Sequence, residues 1–333
     1  MQAPFPWFGG KAKVAPIIWE RFGAVDNYVE PFFGSGAVLL ARPEPRGVET
    51  INDACGFVAN FWRATQAAPD EVAAHVDWPV NEADLEARHY WLVTDGRERL
   101  ARVLGHPDGF DAKIAGWWCW GLCAWIGSGW CSGKGPWQWV EEEWRKLPHL
   151  GNAGQGVKRQ RPHLWCGRGV NRKRPHLGDA GRGALLDTFA ALAARLRKVR
   201  VAYGDWSRVC GDSVTWRHGT TAVFLDPPYG EEAGRVGGLY ATDSLTVAAE
   251  ARAWAIEAGK RNDMRICLAG YDGEHAMPTG WTAHRWKAQG GYGLQGDGAG
   301  RANAARETLW FSPACIPPKQ AGLFDAFMEG AAA

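Results

Sequence analysis

Residues 28–40, YVEPFFGSGAVLL, decide the fold. The apolar run around Tyr28 and Val29 predicts a strand, and the apolar run after Gly36 predicts a helix. Between them, the glycines of FFGSG (32–36) let the backbone approach a ligand closely and expose amide groups at the start of a helix. Glycine turns of this kind also bind dinucleotides, so the turn by itself indicates a nucleotide-like ligand without specifying it.

Outward from this unit, strands and helices alternate. A helix is predicted from about residue 13 to 22, a strand over 48–51 that ends at Asn52 and Asp53, and a helix starting near Phe57. The alternation resumes after residue 183, where Leu185, Phe189, Leu192 and Leu196 share one helical face. Later strands are predicted at 199–205, 222–226, 264–270, 281–286 and 307–311, with a helix over 245–260. This pattern predicts a doubly wound α/β sheet.

Residues 80–182 interrupt the alternation and are predicted to form an insertion. Its first part has a helical pattern, and its second part is rich in glycine and basic residues, with PHL repeated at 148, 162 and 175. We therefore predict a catalytic domain over 1–79 and 183–316, an inserted domain over 80–182 and a carboxyl-terminal appendage over 317–333.

The insertion concentrates positive charge. Residues 145–182 hold ten Lys and Arg and one acid, in a 333-residue chain whose net charge is +2. A basic block within an otherwise acidic chain indicates a local contact with a polyanion. The residues predicted to contact this polyanion, mostly at phosphates, are Lys158, Arg159, Arg161, Arg168, Arg172, Lys173 and Arg174. The competing interpretation is a solvated surface loop.

Two carboxylates follow predicted strands at positions where α/β proteins bind ligands. Asp53 ends the strand after the glycine turn, where a carboxylate can bind the ribose hydroxyls of a nucleoside cofactor. The alternative is that Asp53 caps the helix near Phe57. Asp226 begins the sequence DPPY directly after the apolar run AVFL. The two prolines force a rigid, extended exit from the strand, which fixes the directions of Asp226 and Tyr229.

Together, WFGGK (7–11), YVEPFFGSG (28–36) and DPPY (226–229) resemble the Dam-type, or alpha group, DNA N6-adenine methyltransferases, over about 1–65 and 184–312. The resemblance implies a Rossmann-like fold that uses S-adenosyl-L-methionine, with the insertion serving target recognition. The implied cofactor residues are Trp7, Lys11 (near the cofactor carboxylate), Glu30, Pro31, Phe32, Gly34, Ser35, Gly36, Asp53, Asp205 (near the cofactor adenine) and Asp226. The implied catalytic residues, which would hold the target adenine, are Asp226, Pro227, Pro228 and Tyr229.

The resemblance implies a direct methyl transfer to a flipped adenine in double-stranded DNA. Such a transfer needs no metal, and we expect no obligate protein partner. Other interpretations stay open: methylation of cytosine N4, of RNA or of a protein glutamine, and a DNA-binding module that has lost catalysis. The absence of a GxGxxG turn argues against a Rossmann oxidoreductase.

The eight cysteines give evidence on the cellular compartment of the protein. They lack CxxC pairs, which indicates reduced thiols that fill a core, although Cys119, Cys123, Cys131 and Cys166 could with His163 gather around zinc. With neither a signal peptide nor an apolar span visible, we expect a soluble, cytoplasmic protein. A phage or prophage origin is our hypothesis for a solitary enzyme of this kind.

Overall fold

Helices and strands alternate along the chain much as the sequence predicts. A computed structural model describes residues 1–7, 9–125, 130–131, 136–140, 142–146, 178–228, 246–287 and 307–318. Its amino-terminal elements are α1 (Ala15–Phe22), β1 (Asn27–Glu30), α2 (Ala37–Leu40), β2 (Val48–Asp53), α3 (Gly56–Ala67) and α4 (Pro69–Val76). Helix α1 has Pro16 in its first turn and Gly23, with φ +59°, just after its end, which are the favoured positions for these two residues.

The predicted insertion is helical in its first part. It contains α5 (Glu82–Val93), α6 (Asp95–Leu104) and α7 (Ala112–Ala124), followed by a hairpin of β3 (Trp137–Val140) and β4 (Glu143–Lys146). The α/β alternation then resumes with α8 (Gly178–Leu196), β5 (Val199–Tyr203), β6 (Thr221–Leu225), α9 (Val247–Ala258), β7 (Met264–Tyr271), β8 (Thr282–Arg285) and β9 (Glu307–Phe311).

Seven of these strands form one sheet in the order β5-β2-β1-β6-β7-β9-β8. The first five strands in this order, β5-β2-β1-β6-β7, run parallel to one another. Strand β9 runs antiparallel to both β7 and β8. From β1 the chain passes to β2 and β5 on one side, and it later returns to β6 on the other side. The sheet therefore has its topological switch point between β1 and β6, where α/β proteins bind ligands beyond the carboxyl ends of the strands.

Both faces of the sheet are covered. Tyr28 and Phe224 belong to one hydrophobic cluster, while Val29, Val223 and Leu225 belong to another, because successive residues of a strand point to opposite faces. The predicted helical face of Leu185, Phe189, Leu192 and Leu196 is buried in the first cluster. These observations confirm the predicted α/β architecture of the sheet and its covering helices.

Helix α7 packs directly on the sheet domain. It contacts α3 and α4, and its Trp118, Trp120 and Cys123 lie in the same hydrophobic cluster as the core beside the sheet. Cys119, Cys123 and Cys131 are also buried there, as the core-filling interpretation of the cysteines predicts. The helical half of the insertion thus shares its core with the residues around it, and the proposed division into domains stays a prediction.

Two further points concern DNA and membranes. The basic residues predicted to contact DNA, from Lys158 to Arg174, lie outside the described residues, as do Cys166 and His163. Within the described ranges, no helix combines the length and the apolar character needed to cross a lipid bilayer.

Candidate active site

The glycine turn after β1 has a backbone that requires glycine. Gly34 and Gly36 adopt φ angles of +48° and +65°, which residues with a side chain rarely adopt. A Cβ at Gly34 would overlap the Trp7 ring, and a Cβ at Gly36 would overlap the Phe33 ring. Trp7 therefore lies against the turn, so WFGGK and FFGSG meet as the sequence resemblance implies. Pro31 and Ser35 are buried beside them.

Glu30 holds the two ends of this turn together. Its carboxylate accepts hydrogen bonds from the Tyr28 hydroxyl at 2.7 Å and from the Leu39 backbone N–H at 3.3 Å. Burial raises the pKa of Glu30 well above its usual value, and the hydrogen bond from Tyr28 opposes that rise. Because Glu30 ties the strand before the turn to the helix after it, its described contacts are those of a residue that shapes the turn.

Asp53 closes the other side of the turn. Its Oδ2 accepts a hydrogen bond from the Gly34 N–H at 2.9 Å, and its Oδ1 accepts one from the Cys55 N–H at 2.8 Å. The N-cap residue of α3 is Cys55, and Asp53 accepts a hydrogen bond from its N–H, so Asp53 also supports the start of this helix and both interpretations of Asp53 stay open. Burial raises the pKa of Asp53 to about 6, against the lowering effect of the two N–H groups. Each carboxylate oxygen can still accept a second hydrogen bond, for example from a ribose hydroxyl.

Asn52 was missed in the sequence, where it was assigned simply to the end of a strand. The buried side chain donates hydrogen bonds to the Pro31 carbonyl at 3.1 Å and to the Gly204 carbonyl at 3.0 Å. It therefore joins the loops that follow β1 and β5. The signal in the sequence was an amide side chain at the end of a predicted strand, next to Asp53.

The edge beyond β5 carries Asp205 and an aromatic pair. Asp205 is exposed, and its Oδ1 accepts a hydrogen bond from the Ser207 N–H at 2.9 Å. Phe32, from the glycine turn, stacks on Trp206 with ring centroids 5.8 Å apart. The predicted residues Phe32 and Asp205 thus belong to adjacent loops at the carboxyl edge of the sheet.

Asp226 follows β6 and pairs with Lys11. Strand β6 lies beside β1 with Val29 opposite Val223, so the DPPY corner and the glycine turn leave the sheet at the same edge. The Lys11 Nζ lies 2.9 Å from Asp226 Oδ1, 3.7 Å from Glu307 Oε2 and 2.8 Å from the Gly9 carbonyl. The resemblance implies that Lys11 lies near the cofactor carboxylate. In the structure its ammonium contacts Asp226, and the cofactor contact stays a prediction.

Opposing effects set the pKa values of this pair. Burial raises the pKa of Asp226 above its usual value, although the Lys11 ammonium lowers it in part. For Lys11, burial lowers the pKa, but the nearby carboxylates of Asp226 and Glu307 raise it more, and the net pKa is raised. Lys11 therefore stays protonated at neutral pH, beside an Asp226 carboxylate whose negative charge is costly to bury.

Pro227 is buried and Pro228 is partly exposed, while Tyr229 lies outside the described residues. The structure thus brings together the predicted residues Trp7, Gly34, Gly36 and Asp53 at the glycine turn, and Lys11 and Asp226 at the next strand. Glu307, which the sequence analysis missed, joins the second group from the far end of the chain. The signal for it was a carboxylate at the start of the apolar run ETLWF.

Residues 7–99 match the family model of the D12 class N6 adenine-specific DNA methyltransferases. This segment is therefore similar to a D12 class methyltransferase domain. The family indicates an adenine-specific DNA methyltransferase, as the motifs predict. No curated protein matches the chain.

The D12 class match covers part of the site. It includes Trp7, Lys11, the glycine turn and Asp53, and it continues past residue 80, where the insertion is predicted to begin. Asp226 and Glu307 lie beyond it, so their place in this methyltransferase rests on the DPPY motif and on the contacts with Lys11. The mostly parallel seven-stranded sheet is consistent with a methyltransferase fold.

Proposed function

We propose that this methyltransferase transfers the methyl group of S-adenosyl-L-methionine to N6 of an adenine flipped out of double-stranded DNA. One observation carries the proposal. The glycine turn and the DPPY corner follow the adjacent parallel strands β1 and β6, and Lys11, from the segment that contacts the turn, pairs with Asp226 at that edge. A cofactor on the turn and a base at the corner would therefore share one crevice.

The residues around the turn fit this cofactor. The backbone at Gly34 and Gly36 leaves no room for side chains, and Asp53 offers acceptors next to it, as ribose hydroxyls require. Trp7, Glu30, Pro31, Phe32 and Ser35 would complete the cofactor site. When bound, S-adenosyl-L-methionine would supply an electrophilic methyl group on a sulfonium.

The acceptor side must activate a poor nucleophile, because the lone pair of the adenine amine is delocalised into the ring. We propose that the Asp226 carboxylate and the Pro227 carbonyl each accept a hydrogen bond from the N6 amine, which directs its lone pair toward the methyl group. Asp226 would then take the proton that N6 releases once it is methylated. Positioning and preorganised charge would supply most of the acceleration. Pro228 would keep the corner rigid, and Tyr229 would stack on the base.

The basic part of the insertion would hold the duplex. Lys158, Arg159, Arg161, Arg168, Arg172, Lys173 and Arg174 would contact phosphates, and arginines among them could read guanine edges in the major groove. Because such contacts release counterions, neutralising Arg172, Lys173 and Arg174 should weaken DNA binding and flatten its salt dependence. An unchanged salt slope would count against this part of the proposal.

The test is nucleoside analysis after incubation of the purified chain with S-adenosyl-L-methionine and unmethylated double-stranded DNA of mixed sequence. We expect N6-methyladenine, and mass spectrometry of the digested DNA distinguishes it from N4-methylcytosine, which would overturn the choice of base. Calorimetry with the cofactor tests the alternative of a silent DNA-binding module, because such a module would bind DNA without binding the cofactor.

A further inference from the structure

Glu307 is a buried carboxylate outside all three sequence motifs. It is the first residue of β9, it is 4% exposed, and it lies opposite Tyr271 at the end of β7. Because β9 runs antiparallel to β7, its first residue lies at the edge where the parallel strands end. The strand direction therefore brings a residue from the far end of the chain to the candidate active site.

The Lys11 ammonium contacts acceptor oxygens from three segments of the chain. It has three hydrogens to donate. Gly9, Asp226 and Glu307 place acceptor oxygens at 2.8, 2.9 and 3.7 Å from Nζ, from the Lys11 loop itself, from the end of β6 and from the start of β9. These acceptors, which come from three separate segments of the chain, specify where the ammonium lies.

The charges of this cluster are unequal. Lys11 and Glu307 are nearly inaccessible to water, with side chains 3% and 6% exposed, whereas the Asp226 side chain is 24% exposed. Among the described residues, one ammonium thus contacts two carboxylates in surroundings where water screens little. If Lys11 paired with Asp226 alone, it would neutralise the carboxylate that has to accept a hydrogen from the target amine.

We infer that Glu307 is a positioning residue for methyl transfer, which shares the Lys11 ammonium so that Asp226 keeps an oxygen and negative charge available for the target amine. This inference rests on the proposed function. Glu307 itself touches neither substrate nor cofactor in this scheme, and it acts through Lys11.

The test compares Glu307→Gln, which removes the charge, with Glu307→Asp, which keeps it. The methylation rate is measured under single-turnover conditions at about pH 7.5. We expect Glu307→Gln to lower this rate about tenfold, as the loss of partners that orient reacting groups commonly does. The affinity for the cofactor should stay within about threefold of the wild-type value. Glu307→Asp should recover most of the rate. Melting curves give the folded fraction by which each rate is normalised, so partial unfolding of a variant does not obscure the comparison.

The pH profile supplies a readout that a merely structural role would not change. Loss of the Glu307 carboxylate should lower the pKa of Lys11, because a nearby negative charge stabilises the ammonium. In Glu307→Gln the change of rate that accompanies loss of the Lys11 proton should therefore begin at a lower alkaline pH than in the wild type or in Glu307→Asp. Superimposable profiles, or a normalised rate within twofold of wild type, would overturn the inference.

Glu49 provides the matched control. It is also a buried strand carboxylate, but it pairs with Arg42 at 2.9 Å and Arg195 at 2.7 Å near the start of β2, away from the crevice. Glu49→Gln should lower the melting temperature without changing the normalised rate, and an equal loss of rate in both variants would contradict a specific role for Glu307. Wild-type enzyme that yields no N6-methyladenine would contradict the proposed function, whereas a fully active Glu307→Gln would contradict this inference alone.

Discussion

Asp226 is the residue on which the proposed chemistry depends most directly. Replacing it with asparagine keeps its size but removes the charge that pairs with Lys11 and that would accept a hydrogen bond from the target amine. We expect Asp226→Asn to lower the single-turnover rate at least about 100-fold, the usual effect of losing one preorganised partner, with cofactor affinity changed far less. The measurement is transfer of a labelled methyl group to DNA.

Asp272 offers a control for this substitution. It follows β7 at the same edge of the sheet and pairs with Arg285 at 3.0 Å. Asp272→Asn should methylate DNA at close to the wild-type rate. Near-normal turnover by Asp226→Asn would remove Asp226 from the mechanism.

Asp53 predicts a pH dependence of cofactor binding. Its pKa in the folded protein is raised to about 6, so the ionised form that accepts hydrogen bonds from ribose declines as the pH falls through 6. The affinity for S-adenosyl-L-methionine should be nearly constant between pH 7 and 8 and about tenfold weaker at pH 5. Titration calorimetry across this range tests the prediction.

The comparison variant is Asp53→Asn, which cannot ionise. It should bind the cofactor more weakly at neutral pH, with no change of affinity around pH 6. If the wild type and the variant show the same pH dependence, Asp53 is not the group that titrates.

At the scale of elements, the glycine turn between β1 and α2 is the proposed binding site of the cofactor. Gly34→Ala would force a side chain into the left-handed region and against the Trp7 ring. We expect a loss of about 1–3 kcal/mol in the free energy of unfolding and at least a tenfold loss of cofactor affinity, measured by urea denaturation and calorimetry.

Gly183 is the matched glycine. It is exposed within α8, and a Cβ there would meet open space. Gly183→Ala should leave cofactor binding unchanged and stabilise the protein by up to about 1 kcal/mol, because alanine favours a helix over glycine. Cofactor binding by Gly34→Ala that equals that of Gly183→Ala would contradict the proposed role of the turn.

At the scale of the whole molecule, α7 connects the insertion to the catalytic core. Trp118 is 2% exposed and contacts Phe5, Trp7, Phe57 and Phe61. Trp118→Ala should lower the free energy of unfolding by about 3–5 kcal/mol and weaken cofactor binding through Trp7. Urea denaturation followed by circular dichroism gives the first quantity.

Tyr90 on α5 provides the reference, since its side chain is 42% exposed. Tyr90→Ala should change the free energy of unfolding by less than about 1 kcal/mol and leave cofactor binding intact. If Trp118→Ala were equally mild, α7 would not be part of the core that supports the site.

The sequence by itself determined the order of strands and helices, the buried face of α8 and the two loops that carry the motifs. These features follow from local patterns, because the period of apolar residues and the backbone preferences of glycine and proline act within a few neighbours. Asp53 and Asp226 could be predicted for the same reason, since each lies at the end of a stretch that predicts a strand.

The tertiary structure decided which of these residues meet. Lys11, Asp226 and Glu307 are separated by most of the chain, and they converge because β6 lies beside β1 while β9 runs antiparallel to β7. Strand order and direction depend on how the whole sheet buries its two faces, which no local pattern encodes. For that reason the sequence identified the catalytic motif, and the fold alone showed the charges that surround it.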